Sequence, residues 1–237
     1  MILITRLKED NTTIKKKLNA FKIKSSAEPL YKIKYLSKKI NHENEKIFIV
    51  ASKQAVKAIH SNVKRGNLKK SIFFVIGNQS SLQLKKLGLK VKLVAQNSND
   101  LIKKIKKNNS YKRNKFEYLC ANTFNKDFYS ELCKFNKNTK KVILYNLVPN
   151  QKFSKKTLQL LRQQNIKIVL FFSKFSCNTF FQLCRSHKLN RKNLNGIHYI
   201  TLSKEIAYLQ FLKAHKVSWA KRPSLASILQ KVISIHN

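Results

Sequence analysis

The stretch that decides the fold is Ile47-Phe-Ile-Val-Ala-Ser52, which is followed directly by Lys53-Gln-Ala-Val56. Its uncharged apolar run predicts a strand that is covered on both faces, and Ser52 marks the turn into a helix. A second stretch, Ile168-Val-Leu-Phe-Phe-Ser173, has the same character and continues into Lys174-Phe-Ser-Cys177. Strands that alternate with helical segments in this way indicate a parallel α/β fold.

The similarity extends to the segments that follow, in the same order. Phe73-Phe-Val-Ile-Gly77 resembles His198-Tyr-Ile-Thr-Leu202, and the segment that starts at Val91 resembles the one that starts at Val217. We therefore expect two similar α/β modules of about 110–120 residues each. The strand at Ile2–Thr5 has its counterpart in Phe116–Ala121, late in the first complete module. The amino-terminal strand and helix are thus assigned to the second module.

Apolar runs and helical periodicity predict the individual elements. The predicted strands are Ile2–Thr5, Ile47–Ala51, Ile72–Ile76, Val91–Ala95, Phe116–Ala121, Val142–Leu147, Ile166–Phe172, Ile197–Leu202 and Val217–Ala220. The predicted helices include Ser80–Leu87, Asn99–Ile105, Thr157–Arg162 and Ser224–Ile233.

These elements predict a discontinuous α/β domain over residues 1–31 and 150–237, and a second α/β domain over 36–144. The chain crosses between them at linkers near 32–35 and 145–149. Because the chain crosses twice, we expect a cleft between two similar parallel-sheet domains. Ligands of such domains bind at the carboxyl ends of the strands.

Composition restricts the class of protein. The chain has 237 residues, 43% of them hydrophobic, with 50 Lys and Arg against 10 Asp and Glu and a net charge of +40. This apolar content is enough for packed cores and argues against bulk disorder. The longest apolar run is far shorter than the roughly 18–20 residues that cross a bilayer, and the apolar start is too short for a signal peptide. We therefore expect a cytoplasmic protein with no membrane partner.

The positive charge indicates an anionic partner: a nucleic acid, a membrane surface or a polyanionic small molecule. The clusters Lys15–Lys17, Lys103–Lys107 and Lys112–Lys115 would suit phosphates, but many lysines can equally form a solvated face in this Lys- and Asn-rich sequence. Phe73, Phe74, Phe171 and Phe172 lie inside apolar strands, so they favour a core over a base-stacking surface. We do not expect a nucleic acid.

Small polar residues follow several predicted strands, and they are the candidate substrate-binding residues. A hydroxyl at a strand-to-helix turn, together with free N–H groups and the helix dipole, suits an oxyanion. The same serines can also act as helix caps alone, and Gly77 can be a simple turn glycine. The candidates are Thr5, Arg6, Ser52, Gly77, Asn78, Ser80, Ser173, Lys174, Ser203 and Lys204.

Residues for common catalytic mechanisms are missing from the sequence. There is no nucleophile elbow, P-loop or dinucleotide motif, no acidic pair, and no Cys or His spacing that predicts a metal site. Cys177 and Cys184, seven residues apart, are interpreted as buried on one helix face. Tyr145, at the second crossing, is the candidate proton donor, although a lone tyrosine also serves as a packed ring.

The order of motifs resembles that of the uroporphyrinogen-III synthase family over nearly the whole chain. The motifs are Ile2-Leu-Ile-Thr-Arg6, Glu28-Pro-Leu-Tyr-Lys-Ile33, Val50-Ala-Ser-Lys-Gln-Ala-Val56, Val75-Ile-Gly-Asn-Gln-Ser-Ser81, Leu87-Gly-Leu-Lys-Val91, Leu144-Tyr-Asn-Leu-Val-Pro-Asn150, Leu170-Phe-Phe-Ser-Lys174 and Trp219-Ala-Lys-Arg-Pro-Ser-Leu225.

The resemblance implies two α/β domains joined by an antiparallel two-stranded linker, and a reaction without cofactor. The implied substrate is hydroxymethylbilane, an octacarboxylate linear tetrapyrrole that loses water and closes with inversion of ring D. The implied roles are those of the family's cleft tyrosine for Tyr145, its strand-end serines for Ser52 and Ser173, its Gly-x-x-Thr turn for Gly77 with Ser80, and its Thr-Arg pair for Thr5-Arg6.

Some positions depart from the family pattern. Leu7, Ala51 and Ala121 stand where the family usually has Pro, Thr and Gly, while Leu202 and Glu205 replace the Gly and Thr of the second Gly-x-x-Thr turn. Glu205 would repel a carboxylate-rich substrate unless a lysine such as Lys204 neutralises it. We expect a working, monomeric enzyme. An inactive relative that keeps the fold and a basic nucleic-acid-binding protein are the alternatives.

Overall fold

The computed structural model describes residues 1–38, 40, 46–62 and 68–236, with only the backbone at 61, 62 and 236. Contacts divide the chain into two units. The first comprises Met1–Lys32 and Val148–Asn237, and the second comprises Ile33–Leu147. The chain therefore passes from one unit to the other twice.

Within the described residues, strands and helices follow one another along most of the chain. The strands are β1 (Ile2–Ile4), β2 (Ser25–Ala27), β3 (Tyr31–Tyr35), β4 (Lys46–Val50), β5 (Ile72–Ile76), β6 (Lys90–Ala95), β7 (Lys115–Ala121), β8 (Thr139–Pro149), β9 (Ile168–Phe171), β10 (His198–Thr201) and β11 (Lys216–Trp219). The α-helices are α1 (Lys8–Ala20), α2 (Lys53–Asn62), α3 (Asn78–Lys86), α4 (Ser98–Lys106), α5 (Lys126–Phe135), α6 (Lys155–Arg162), α7 (Lys174–Ser186), α8 (Arg191–Leu194), α9 (Lys204–Ala207) and α10 (Leu225–His236).

The first unit contains a parallel sheet in the order β11-β10-β9-β1-β2. Its central strands are buried on both faces because helices cover each side. In β9, Val169 and Phe171 pack with buried residues of α7 such as Phe180. Ile168 and Leu170 pack on the opposite face with residues of α1 and α10. This alternation explains why the strand is apolar throughout.

The second unit contains a sheet in the order β3-β8-β7-β4-β5-β6, and the strands from β8 to β6 are parallel. Phe48 and Val50 of β4 face a cluster that includes α2 and α3. Ile47 and Ile49 face a second cluster with α4 and α5. The predicted strand at Ile47–Ala51 is therefore confirmed as a fully covered strand, observed over Lys46–Val50.

The two sheets share one strand order, as the internal similarity predicts. β4, β5 and β6 occupy the places of β9, β10 and β11, while β7 corresponds to β1 and β8 to β2. The predicted class of two similar parallel-sheet α/β domains is thus confirmed. Phe73, Phe74 and Phe171 are fully buried, and Cys177 and Cys184 are buried in α7, where burial raises the pKa of each thiol to about 12.

The element predictions need three corrections. β2 and β3 are strands that the apolar pattern did not predict, because Ser25–Ala27 is short and polar and Tyr31–Tyr35 alternates lysine with larger residues. The helices α5 and α8 are also absent from the predicted elements. Finally, β8 is longer than predicted, since it runs from Thr139 to Pro149.

Candidate functional site

The carboxyl ends of four neighbouring strands meet at one edge of the second unit's sheet. The strands are β8, β7, β4 and β5, in that spatial order and all parallel. Asn122, Ser52 and Gly77 follow β7, β4 and β5, and Tyr145 of β8 lies level with them because it pairs with Ala121, the last residue of β7. Parallel strands thus bring together residues that are far apart in sequence, at the edge where α/β domains bind ligands.

The most specific contact at this edge joins Tyr145 to Ser52, whose Oη and Oγ atoms lie 2.7 Å apart. Ser52 Oγ also accepts hydrogen bonds from the backbone N–H groups of Gln54 (3.1 Å) and Ala55 (3.2 Å) at the start of α2. The two N–H donors hold the serine oxygen in place, and either hydroxyl can donate across its contact with Tyr145. The phenol is thereby fixed at the carboxyl edge of the sheet.

Tyr35 of β3 adds a second tyrosine beside this pair. Its ring centre lies 6.2 Å from that of Tyr145, and its hydroxyl donates to Gln54 Oε1 over 2.7 Å. Gln54 and Tyr145 are both buried. The first turn of α2 is thus bonded to a tyrosine from β3 and, through Ser52, to a tyrosine from β8.

A β-bulge in β8 sets the direction of the Tyr145 side chain. Cys120 of β7 pairs with Ile143, and Ala121 pairs with Tyr145, so Leu144 is an extra residue. Adjacent residues of a regular strand point to opposite faces. Leu144 and Tyr145 nevertheless pack in the same cluster, the one beneath α2. The bulge is what places the phenol on the same face as Ser52.

The turn after β5 contains three predicted residues. Gly77 precedes α3 with φ of 93°, and a Cβ there would meet nothing within 4 Å, so backbone conformation rather than space requires glycine. Asn78 begins α3 and is exposed, whereas Ser80 is buried. Within the described residues, no side chain caps α3. Its first backbone N–H groups can therefore receive an anion such as a carboxylate.

In the first unit, Thr5 and Arg6 follow β1. Thr5 is fully buried, and its hydroxyl donates to Leu170 O over 2.6 Å. Nε and Nη2 of Arg6 lie 3.0 and 2.9 Å from Asp10 Oδ2, and the guanidinium sits 4.9 Å from the centre of the Phe172 ring. The structure thus gives Thr5 a place inside the sheet. It leaves Arg6, 30% exposed, with further N–H groups for a carboxylate.

Ser173 acts as the cap of α7. Its Oγ accepts from the backbone N–H of Ser176 over 3.1 Å and donates to Ser176 Oγ, also over 3.1 Å. Ser176 Oγ in turn donates to the Ser173 carbonyl. Ser173 and Ser52 are therefore both helix caps, but Ser52 is bonded to a tyrosine while Ser173 is bonded to a serine.

The other predicted residues of the first unit lie at the start of α9 and α7. Ser203 precedes α9 and does not cap it with its side chain, and Lys204 lies 5.5 Å from the centre of the Tyr208 ring. Glu205 forms an ion pair with Lys174 over 4.0 Å, so the lysine that faces it is Lys174. Since these side chains of Lys174 and Glu205 are 59% and 80% exposed, the pair is weak.

The turns after β5 and β10 are less alike than the repeated pattern suggests. Leu202 replaces Gly77, and it is not among the described non-glycine residues with positive φ. Glu205 is highly exposed, whereas Ser80, its counterpart, is buried. The expected recurrence of one anion-binding turn in both modules is therefore only partial.

Asn122 is a site residue that the sequence pattern did not single out. Its Oδ1 accepts from the backbone N–H of Leu147 over 2.8 Å, and its own N–H donates to Tyr145 O over 3.1 Å. A usable signal was present, because Asn122 directly follows a predicted strand, as Ser52 does.

Two absences concern the described part of the chain alone. No group of three or more His, Cys, Asp or Glu side chains there is placed to hold a metal ion. Among the described helices, none combines the length and the apolar character that crossing a membrane requires.

Comparison with known proteins agrees with this architecture. A family model described as uroporphyrinogen-III synthase HemD matches residues 11–230. No curated protein sequence matches significantly. The uroporphyrinogen-III synthetase of Helicobacter pylori 26695 superposes with a TM-score of 0.67 at 15% identity, over 99% of this chain and 98% of that one.

A mutant uroporphyrinogen III synthase of the extremely thermophilic bacterium Thermus thermophilus superposes with a TM-score of 0.59 at 13% identity, over 98% of this chain and 97% of that one. At such identities the structural likeness establishes the fold, while the family model covers most of the sequence. The chain belongs to the uroporphyrinogen-III synthase family, which comprises cofactor-free cyclising lyases that act on hydroxymethylbilane in tetrapyrrole biosynthesis.

Proposed function

We propose that this chain cyclises hydroxymethylbilane to uroporphyrinogen III, and that Tyr145 donates the proton with which the terminal hydroxyl leaves as water. The observation that carries this role is the 2.7 Å contact between Tyr145 Oη and Ser52 Oγ at the carboxyl end of the sheet. It holds a buried phenol beside a serine that is itself fixed by the first turn of α2. Family membership supports the reaction itself.

The proposed proton transfer balances within the reaction. The phenol gives its proton to the leaving hydroxyl as the carbon–oxygen bond breaks, and the pyrrole nitrogen supplies the electron pair. A proton released when the macrocycle closes restores the phenol. The net change is the loss of one water, so the chemistry requires orientation and one proton donor.

We propose that the carboxyl-end residues of each unit offer binding groups for carboxylates of the substrate. Arg6, Lys174 and Lys204 supply positive charge. The first turn of α3, with Gly77, Asn78 and Ser80, supplies backbone N–H groups. Ser173 and Ser203 begin α7 and α9, and the buried Thr5 supports Arg6 from within the sheet. A basic rim of this kind suits an octacarboxylate tetrapyrrole.

We also propose that the protein acts as a monomer in the cytoplasm, without membrane or nucleic-acid partner. Its charge of +40 opposes self-association at low salt. Phe73, Phe74 and Phe171, which could have stacked on bases, are buried in the cores. Retention of Tyr145, Ser52 and Gly77 in a consistent geometry favours an active enzyme over an inactive relative.

The role of Tyr145 is tested by Tyr145→Phe, with Tyr118→Phe as the matched control. Both tyrosines are 5% exposed, but Tyr118 packs on the opposite face of the same sheet. We expect Tyr145→Phe to lower the kcat for conversion of hydroxymethylbilane to uroporphyrinogen III (isomer III) by about 100-fold or more. The kcat of Tyr118→Phe should stay close to that of wild type. Equal rates for wild type and Tyr145→Phe would remove Tyr145 from this role.

A further inference from the structure

Asn122 is bonded to two backbone groups of β8 that directly follow the Tyr145 side chain. The backbone N–H of Asn122 donates to Tyr145 O over 3.1 Å. Its side-chain Oδ1 accepts from the N–H of Leu147, two residues further along, over 2.8 Å. One residue thus fixes two backbone groups just after the phenol, while the bulge at Leu144 lies just before it.

These bonds lie where the ordinary pairing of β7 with β8 ends. The last paired residues are Ala121 and Tyr145, and they directly follow the bulge at Leu144. β7 stops at Ala121, whereas β8 continues to Pro149. Beyond this point Asn122 holds β8 to the end of β7 with an amide side chain in place of a strand.

We propose that Asn122 is a positioning residue for Tyr145: by bonding to the carbonyl of Tyr145 and to the N–H of Leu147, Asn122 holds the strand after the bulge so that the phenol stays at Ser52 and at the reacting hydroxyl. This inference rests on the proposed role of Tyr145. Because a misplacement of about 1 Å in a catalytic group can lower a rate by roughly 100-fold, two backbone bonds at this point are significant for turnover.

Asn122 itself is exposed. Loss of its side-chain bond should therefore change stability only slightly, since surface substitutions outside cores seldom have large effects. A selective loss of turnover in a well-folded variant is the distinguishing property of the positioning role.

The test compares Asn122→Ala, Asn122→Asp and Asn125→Ala in the isomer III assay. Asn125 lies in the same loop and is also exposed, and its Oδ1 accepts from the N–H of Phe128 over 3.0 Å. Asn125→Ala is therefore a matched control, because it too removes one hydrogen bond from an exposed asparagine to a backbone N–H. We expect Asn122→Ala to lower kcat by about 10- to 100-fold with KM nearly unchanged. Asn122→Asp keeps the acceptor oxygen and should restore kcat to within about threefold of wild type. Asn125→Ala should keep the wild-type kcat.

A wild-type kcat in Asn122→Ala, or a loss that Asn122→Asp does not restore, would overturn the positioning role. Tyr145→Phe in the same assay separates this failure from that of the proposed function. If Tyr145→Phe is impaired and Asn122→Ala is not, only the positioning role fails. If Tyr145→Phe retains full kcat, the proposed role of Tyr145 fails and the positioning role fails with it.

Discussion

Ser52 combines two roles in a single side chain. As a helix cap it satisfies N–H groups of the first turn of α2, and through the same hydroxyl it is hydrogen-bonded to Tyr145. Ser173, its counterpart in the first unit, caps α7 and shares its hydrogen bonds with Ser176. The difference lies in the partner that the sheet brings to each serine, so the residue type alone does not reveal the function.

Ser52→Ala should therefore lower both stability and turnover. Loss of the cap should reduce the free energy of unfolding by about 1 kcal/mol. Loss of the contact to the phenol should reduce kcat by up to about tenfold. Asn97→Ala is the control, because Asn97 caps α4 by accepting from Asp100 N over 2.9 Å. Urea unfolding should show similar destabilisation of both variants, and initial rates should fall only in Ser52→Ala. Equal rates in both variants would contradict a role of Ser52 in turnover.

At the scale of elements, strands that are buried on both faces were predictable, whereas strands at the edge of a sheet were not. The apolar runs of β4, β5 and β9 follow directly from helices on both sides of the sheet. β2, at the edge of its sheet, has only three residues, Ser25–Ala27, and lacks such a run. The alternation in Tyr31–Tyr35 is typical of a strand with one covered face. Because two of its five residues are lysines, it has no apolar run from which to predict the strand.

The candidate site was only partly predictable for a similar reason. Ser52 and Gly77 were found because each follows a clear strand. The contact of Tyr145 with Ser52 depends on the bulge at Leu144, and Val142–Leu147 is apolar enough that no residue in it marks the extra position. The hydrogen bonds of Asn122 depend on where β7 stops relative to β8, which is a property of the folded sheet.

The pairing of β10 with β11 predicts a pH dependence of stability. His198 of β10 is buried, and its Nε2 lies 2.9 Å from Ser218 Oγ of β11. Burial, followed by the charges of Lys216 and Lys231, lowers the pKa of His198 below its ordinary value of 6.5. Folding thus favours the neutral ring. The resulting stability is complete above the unfolded-state pKa and is lost as pH falls through the folded-state pKa.

We therefore expect a smaller free energy of unfolding at about pH 5 than at about pH 7.5. The pKa of His215 is also lowered, first by burial and then by the charge of Arg191. His215 therefore adds to the same loss of stability at low pH. Replacing His198 by Gln, which does not titrate, should reduce the difference between the two pH values. The measurement is urea unfolding of both proteins at each pH, and an identical pH difference in His198→Gln and wild type would contradict the assignment.

At the scale of the whole molecule, most of the positive charge lies outside the proposed site. Of the 50 basic residues, the proposed substrate contacts use Arg6, Lys174 and Lys204. The proposed chemistry depends instead on uncharged groups: the Tyr145 phenol, the Ser52 hydroxyl and the amides around Gly77. The net charge of +40 is thus a guide to an anionic partner, while the proposed chemistry depends on the geometry of a few strand ends.

The isomer formed from hydroxymethylbilane is the most direct test of the central claim, that this chain is a working uroporphyrinogen-III synthase. Purified protein is coupled to a source of hydroxymethylbilane, and the uroporphyrinogen isomers are separated after oxidation. Without the protein, spontaneous closure gives isomer I. We predict that isomer III becomes the main product as the protein concentration rises, whereas isomer I alone at every concentration would contradict the claim.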